Sequence, residues 1–291
     1  MSPLAELLID CRSALGEGPF WHPLRNELFW FDINNKQMFA ATASGAMVQT
    51  WTFEEAASAA AVIDRNRLAI ATETGLKQLD LESGRQNLIL PIEADDRRNR
   101  SNDGRVDRAG GFWIGTMRKE GDSPGGAVYR YRDGKLARLL ADISTPNAIC
   151  FSPDGRRAYF ADTPSKQILT CETDPETGLP IGEWTIFADV SDHRGYPDGA
   201  VIDSEGYLWN ARWGGSCVVR HAPDGSIDRI IELPVSQVTC PAFGGPEYRT
   251  LFITSARQGL SAEQLAEEPH AGSVFAIELD VQGLPEPLIR I

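Results

Sequence analysis

No stretch of this 291-residue sequence approaches the run of about 18–20 apolar residues that crosses a bilayer as a helix, so no helical membrane span is expected. The N-terminus, MSPLAELLIDCRS, lacks a basic region, and Glu6 and Asp10 interrupt its apolar residues, which makes it a poor signal peptide. Five cysteines, Cys11, Cys150, Cys171, Cys217 and Cys240, are odd in number, scattered and without CxxC spacing. Neither a disulfide framework nor a zinc finger is expected from them, and a reduced, cytoplasmic protein is predicted. Basic charge is also scarce: 28 Lys and Arg against 41 Asp and Glu leave a net charge of −13. An acidic surface repels phosphate backbones, which argues against a nucleic-acid partner. The one G-x-S-x-G, GDSPG (121–125), is a Gly- and Pro-rich loop rather than a strand-to-helix turn, so Ser-His-Asp catalysis is not expected. Long helical periodicity is missing too, with only residues 56–63 and 261–268 as weak candidates.

What the sequence does have is short strands rich in Val, Ile, Phe, Trp and Tyr, separated by Gly, Pro, Asp and Asn. That is an all-β pattern. One unit recurs through it: a short apolar stretch, a tight polar turn, then an aromatic or aliphatic strand. The copies are EGPFWHPLRNELFWFD (17–32), ASAAAVIDRNRLAIAT (57–72), NDGRVDRAGGFWIGT (102–116), NAICFSPDGRRAYFADT (147–163), DGAVIDSEGYLWNAR (198–212) and CPAFGGPEYRTLFITS (240–255). Their turn markers, Pro23, Arg65, Arg108, Pro153, Ser204 and Pro246, recur every 42 to 51 residues. That period fits one four-stranded blade, so a six-bladed β-propeller filling residues 1–291 as one domain is predicted. Two β-sandwiches would not generate six copies of one unit. A propeller must close its ring, since an unpaired edge invites aggregation. The C-terminal SVFAIELD (273–280) and LIRI (288–291) are expected to share a blade with the N-terminal ELLID (6–10).

Six residues before each turn marker stand Glu17, Ala59, Asn102, Asn147, Asp198 and Cys240. Equivalent positions in successive blades form a ring about the axis, and this one, just before each inner strand, is expected to line one mouth of the channel. Four of the six carry side-chain oxygens, two of them as carboxylates. Each is ordinary alone: Asn102-Asp103-Gly104 resembles a hairpin turn, and Asp198 before Gly199 is a common turn residue. Four at one offset instead suit a hard divalent cation such as Ca²⁺, Mg²⁺ or Mn²⁺. Without it, converging carboxylates would repel and at least one pKa would rise.

Other candidates carry less. His22, His193, His221 and His270 show no metal-ligand spacing, although His193 precedes Asp198 in a loop that can edge the site. Trp213 follows an inner strand and is placed to reach the mouth, whereas Trp21, Trp30, Trp113 and Trp209 are expected between blades. Cys240 has no nearby base and is expected to pack inertly.

The stretches LGEGPFWHP (15–23), NRSNDGRVDRAGGFWIGTM (99–117), STPNAICFSPDGRRAYFADT (144–163), YPDGAVIDSEGYLWNARWGG (196–215) and VTCPAFGG (238–245) together resemble the SMP-30/gluconolactonase family, which includes regucalcin and bacterial sugar-lactone hydrolases. The resemblance spans nearly the whole chain, in order. It implies one divalent metal at the centre of the propeller, held by Glu17, Asn147 and Asp198. It further implies that Arg100, Asn102 and Glu120 bind substrate hydroxyls, with Glu120 in a variable loop, RKEGDSPGG (118–126). The implied reaction is hydrolysis of sugar lactones to aldonic acids, with Asp198 doubling as general base. Oxygen donors favour Ca²⁺, while Zn²⁺, Mn²⁺, Mg²⁺ or Fe²⁺ can occupy a site with three protein ligands. The rival readings are an organophosphate or ester hydrolase on the same centre, and a calcium-binding regulatory propeller without catalysis. Arg100 with Asn102 favours a hydroxylated substrate over the first. Docking propellers often carry Gly-His and Trp-Asp repeat signatures, and neither is present.

Overall fold

The computed structural model describes residues 3–120 and 123–291. Its strands form six antiparallel sheets of four. The innermost strands are Gly16–His22, Ala57–Val62, Asn99–Val106, Pro146–Phe151, Tyr196–Ile202 and Val238–Gly244, numbered here as blades 1 to 6. Each packs against the innermost strand of both neighbouring blades, so the six sheets close on themselves around a central channel. This is the six-bladed β-propeller the repeat predicts.

Closure is made between the chain's two ends. Blade 6 contributes Val238–Gly244, Thr250–Ser255 and Val274–Glu278, and its outermost strand is the N-terminal Glu6–Ile9, with Leu7 opposite Phe275. The expectation for residues 288–291 needs correcting, because they join no blade. Ile289 N–H instead donates to Val62 O (2.9 Å) and Arg290 N–H to Gly110 O (2.9 Å), carrying the C-terminus across the far face of blades 2 and 3. With its outer edge already covered by Glu6–Ile9, blade 6 has no place for them.

The tight turn after the innermost strand explains why the unit repeats. In blade 3, Asp107 Oδ1 accepts the N–H groups of Ala109 and Gly111 (both 2.9 Å). Its Oδ2 takes Trp113 Nε1 (3.0 Å) and Arg130 Nε (2.6 Å). Blade 5 repeats the arrangement, with Asp203 accepting from Glu205 N, Tyr207 N, Trp209 Nε1 and Arg220. One carboxylate thus fixes a turn, anchors an indole and neutralises a buried guanidinium. The four tryptophans expected between blades are there: Trp21 stacks on Phe252, Trp30 joins the same cluster, Trp113 meets Phe151 and Trp209 meets Phe243.

Residues 56–63 are not helical but supply the strand Ala57–Val62. Alanine favours helix intrinsically, yet tertiary packing overrides that preference here. Ala59 sits so close to Gly104 of blade 3 that a Cβ on the glycine would lie 3.2 Å from it, so small side chains are needed where blades converge. The second candidate does form a helix, Ala262–Glu267, started by a capping box between Ser261 and Gln264. Among the described residues no helix is long and apolar enough to cross a membrane, and all five cysteines are free.

Breaking the turn network should be costly. Asp107→Ala strands a guanidinium whose side chain is 6% exposed, so urea unfolding is expected to show a loss of about 3–5 kcal/mol. A loss within the range of an ordinary surface substitution would contradict this role for Asp107.

Candidate active site

The ring residues do not precede their strands, as the sequence suggested; they lie within them. Every innermost strand carries a register shift at this place, between Glu17 and Phe20, Ala57 and Ala59, Ser101 and Gly104, Asn147 and Cys150, Pro197 and Ala200, and Val238 and Pro241. A bulge interrupts the ladder and re-aims a side chain, here toward the axis. It also breaks the alternation by which a strand is recognised, so in the sequence each bulge looks like a turn. Gly18, after Glu17, needs a positive φ of 53°, and Ala148, after Asn147, adopts φ 56° despite its Cβ. Strain of that kind, about 1–2 kcal/mol for a non-glycine residue, persists where surrounding structure enforces it. Gly199 is needed for another reason: any Cβ there would lie 2.3 Å from Cys240 Sγ.

Glu17, Arg100, Asn102, Asn147 and Asp198 line one open cavity of about 510 Å³, together with Met117, Thr145, Thr163, Tyr196, Trp213 and Gln258. A chain of hydrogen bonds fixes the amides across three blades. Arg100 Nη1 donates to Asn102 Oδ1 (2.8 Å), and Asn102 Nδ2 donates to Asn147 Oδ1 (3.1 Å) and Pro146 O (3.0 Å). Asn147 Nδ2 donates to Thr163 Oγ1 (2.8 Å), which in turn donates to Pro197 O (2.8 Å). With its nitrogen committed to Thr163, Asn147 turns its oxygen toward the ring. Asn210 Nδ2 supports the blade 5 bulge from behind, donating to Asp198 O (2.8 Å) and Gly199 O (3.2 Å).

The electrostatics are those of an acidic well. Glu17 is 8% exposed and Asp198 5%, and the two carboxylates line the same cavity. Burial first, then the neighbouring Asp103, pushes Glu17 up to about 8. Burial, then Glu17 and Asp103, raises Asp198 well above the usual carboxylate range. Arg100 is the cation that opposes them, and burial lowers it to about 10. Two carboxylates and an amide oxygen form an all-oxygen donor set of charge −2, which fits one hard divalent cation. Among the described residues no three His, Cys, Asp or Glu side chains gather into a metal site, at the ring or elsewhere, so the ring's two carboxylates need the Asn147 amide as a third donor.

The remaining candidates divide. Trp213 lines the cavity, as expected of it, while His193 is exposed and absent from its wall. Glu120 is exposed just beyond the strand Phe112–Arg118 and does not line the cavity; Gly121 and Asp122 of its loop lie outside the described residues. Two residues escaped the sequence reading. Thr163, which orients Asn147, left only the ADT that ends a repeat copy. Asp103 was taken as part of a turn, yet it is 7% exposed, and its Oδ2 accepts Ile149 N–H (2.8 Å) at the blade 4 bulge. Burial raises it to about 6.

Comparison with known proteins gives a consistent family. The family model described as SMP-30/Gluconolactonase/LRE-like region matches residues 15–257. The chain is 39% identical to the L-arabinolactonase of Azospirillum brasilense, across 96% of this chain and 93% of that protein. It is 35% identical to the 6-deoxy-6-sulfogluconolactonase of Pseudomonas putida over 99% of each. Among solved structures, a calcium-binding protein, regucalcin, from Agrobacterium tumefaciens matches with a TM-score of 0.97 at 38% identity, covering 100% of this chain and 99% of that one.

The raised carboxyls give the metal-free protein a definite pH dependence. Their ordinary values are 4.5 for Glu17 and 3.8 for Asp198, so above those values the unfolded chain has released protons that the fold retains. Metal-free stability therefore falls as pH rises above the usual carboxylate range and through about 8, where Glu17 ionises, and Asp198 adds to the fall in the same direction. Melting temperatures of chelator-treated protein across that range should decline, Ca²⁺ should restore them most at the alkaline end, and Glu17→Gln/Asp198→Asn should flatten the slope. An unchanged slope in the double variant would contradict the assignment.

Proposed function

This chain belongs to the SMP-30/gluconolactonase/LRE-like family, and we propose that it is a sugar lactonase, opening aldonolactones to aldonic acids with one divalent cation held by Glu17, Asn147 and Asp198. The observation that carries this reading is the meeting of three buried oxygen donors with Arg100 and Asn102 in one open cavity. Relatives named as lactonases support the substrate class. When bound, the cation supplies positive charge at the lactone carbonyl oxygen, where negative charge builds as water adds. Ca²⁺ suits the donors best, and Zn²⁺, Mn²⁺, Mg²⁺ and Fe²⁺ are the alternatives to compare.

The chain's own groups do the rest. Asp198 accepts a proton from the attacking water, and that proton passes to the ring oxygen as its bond to the carbonyl carbon breaks. Arg100, held against Asn102 and the Ser101 carbonyl, offers its remaining N–H groups to substrate hydroxyls. Asn102 is a second hydroxyl partner, and Glu120 is the third we propose, reaching in from the rim. Donors and acceptors of this kind reject a deoxy analogue, which would leave them unpaired. A calcium-binding role without hydrolysis is the second reading, favoured by the regucalcin match, and turnover decides between them.

A panel of pentono- and hexonolactones assayed on metal-stripped protein, with each cation added back, tests this reading. Hydrolysis should require the cation, and Asp198→Asn should lower kcat by about 10²–10⁴ while the propeller still melts cooperatively. Full turnover in stripped protein would refute the cation's part. Arg100→Ala should chiefly raise KM, because it binds substrate in ground and transition states alike; a change confined to kcat would contradict that.

A further inference from the structure

The far end of the channel is closed by the C-terminal segment. Ser204 N–H donates to Gln282 O (2.8 Å), Gly283 N–H to Tyr248 O (2.8 Å) and Arg108 Nη1 to Pro285 O (3.0 Å) before the chain reaches Val62 and Gly110. At the middle of this strap, Glu286 forms an ion pair with Arg105 of the blade 3 innermost strand. Their side chains are only 10% (Arg105) and 18% (Glu286) exposed, so the pair is largely withdrawn from water. Among the described residues Glu286 is the only side-chain partner of Arg105, whose Nε is buried without an acceptor. Between this pair and the ring lies a small cavity of about 20 Å³, bounded by Gly18, Asp103, Cys240, Arg105 and Glu286. Asp103 and Arg105 line that cavity together, and the Asp103 charge acts on Glu17 and Asp198. Arg105 therefore stands among carboxylates, with Asp103 lining the same cavity and Glu286 in the ion pair.

We propose that Glu286 is a positioning residue for the cation site, neutralising Arg105 so that the guanidinium beneath the ring does not oppose the bound ion. This rests on the cation reading above. If Glu286 loses its charge, Arg105 turns its charge on Asp103 and, through it, on the site; the half-buried Arg108, near the strap, adds to the same sign. If Arg105 loses its charge, Asp103 and Glu286 both face the ion unopposed. The two changes thus act with opposite sign on cation affinity, although each breaks the same ion pair. A purely structural plug would make both changes act alike.

Calorimetric titration of CaCl₂ into metal-stripped full-length protein tests this. Glu286→Gln should weaken binding about tenfold, within the range for groups that support metal ligands. Arg105→Gln should tighten it, and the double variant, which leaves no unpaired charge to unfold the chain, should return close to the wild type. Weakening in both single variants, a double variant as weak as Glu286→Gln, or no effect in any of them overturns the proposal. A wild-type chain that takes up no divalent cation overturns the functional reading along with it, which separates the two failures.

Discussion

Two carboxylates held side by side out of water cannot both be charged without a counter-charge, and the rest of this molecule follows from how that is arranged. Glu17 and Asp198 come from blades 1 and 5, far apart in sequence, and each is more than nine-tenths buried. Their repulsion and desolvation favour protonation, and a divalent cation removes both penalties at once. The ionic demand is therefore built into the fold before any ligand arrives. Arg100 alone does not meet it, because its own charge is opposed by burial.

Such an arrangement persists only on a frame that cannot relax. The frame is the ring of innermost strands, each packed on two neighbours and each bulged at the same place. The bulges turn polar side chains inward where a regular strand would alternate them away. Hydrogen bonds from Arg100 through Asn102, Asn147 and Thr163 to Pro197 then lock neighbouring bulges to one another. Farther out, Asp107 and Asp203 tie turn, indole and guanidinium together, so the blades hold their spacing. The cavity and the frame draw on different residues of the same repeat: the carboxylate at the bulge, and the carboxylate at the turn.

The repeat itself was legible in the sequence because turn chemistry is local: Asp, Gly and Pro mark each hairpin whatever the blade around it does. The ring was legible for the same reason, since counting back from those turns finds Glu17, Asn102, Asn147 and Asp198. What was hidden was the bulge. Asn102-Asp103-Gly104 has the composition of a turn, and only the pairing of Ser101 and Gly104 with Phe112–Arg118 on either side of the bulge shows it to lie within a strand, so Asp103 went unnoticed beneath the site. The strand Ala57–Val62 was obscured because crowding between blades demands alanine, the residue that otherwise favours helix. The destination of residues 288–291 was invisible because no local feature tells an edge strand from a strap that crosses to Val62 and Gly110.

The central claim is that one ion sits where these bulges converge. Anomalous diffraction from crystals soaked in Mn²⁺ or Ca²⁺ tests it most directly. A single strong peak bounded by Glu17, Asn147 and Asp198 is the predicted result, and a map with no peak there, or with its strongest peak elsewhere on the acidic surface, would contradict it.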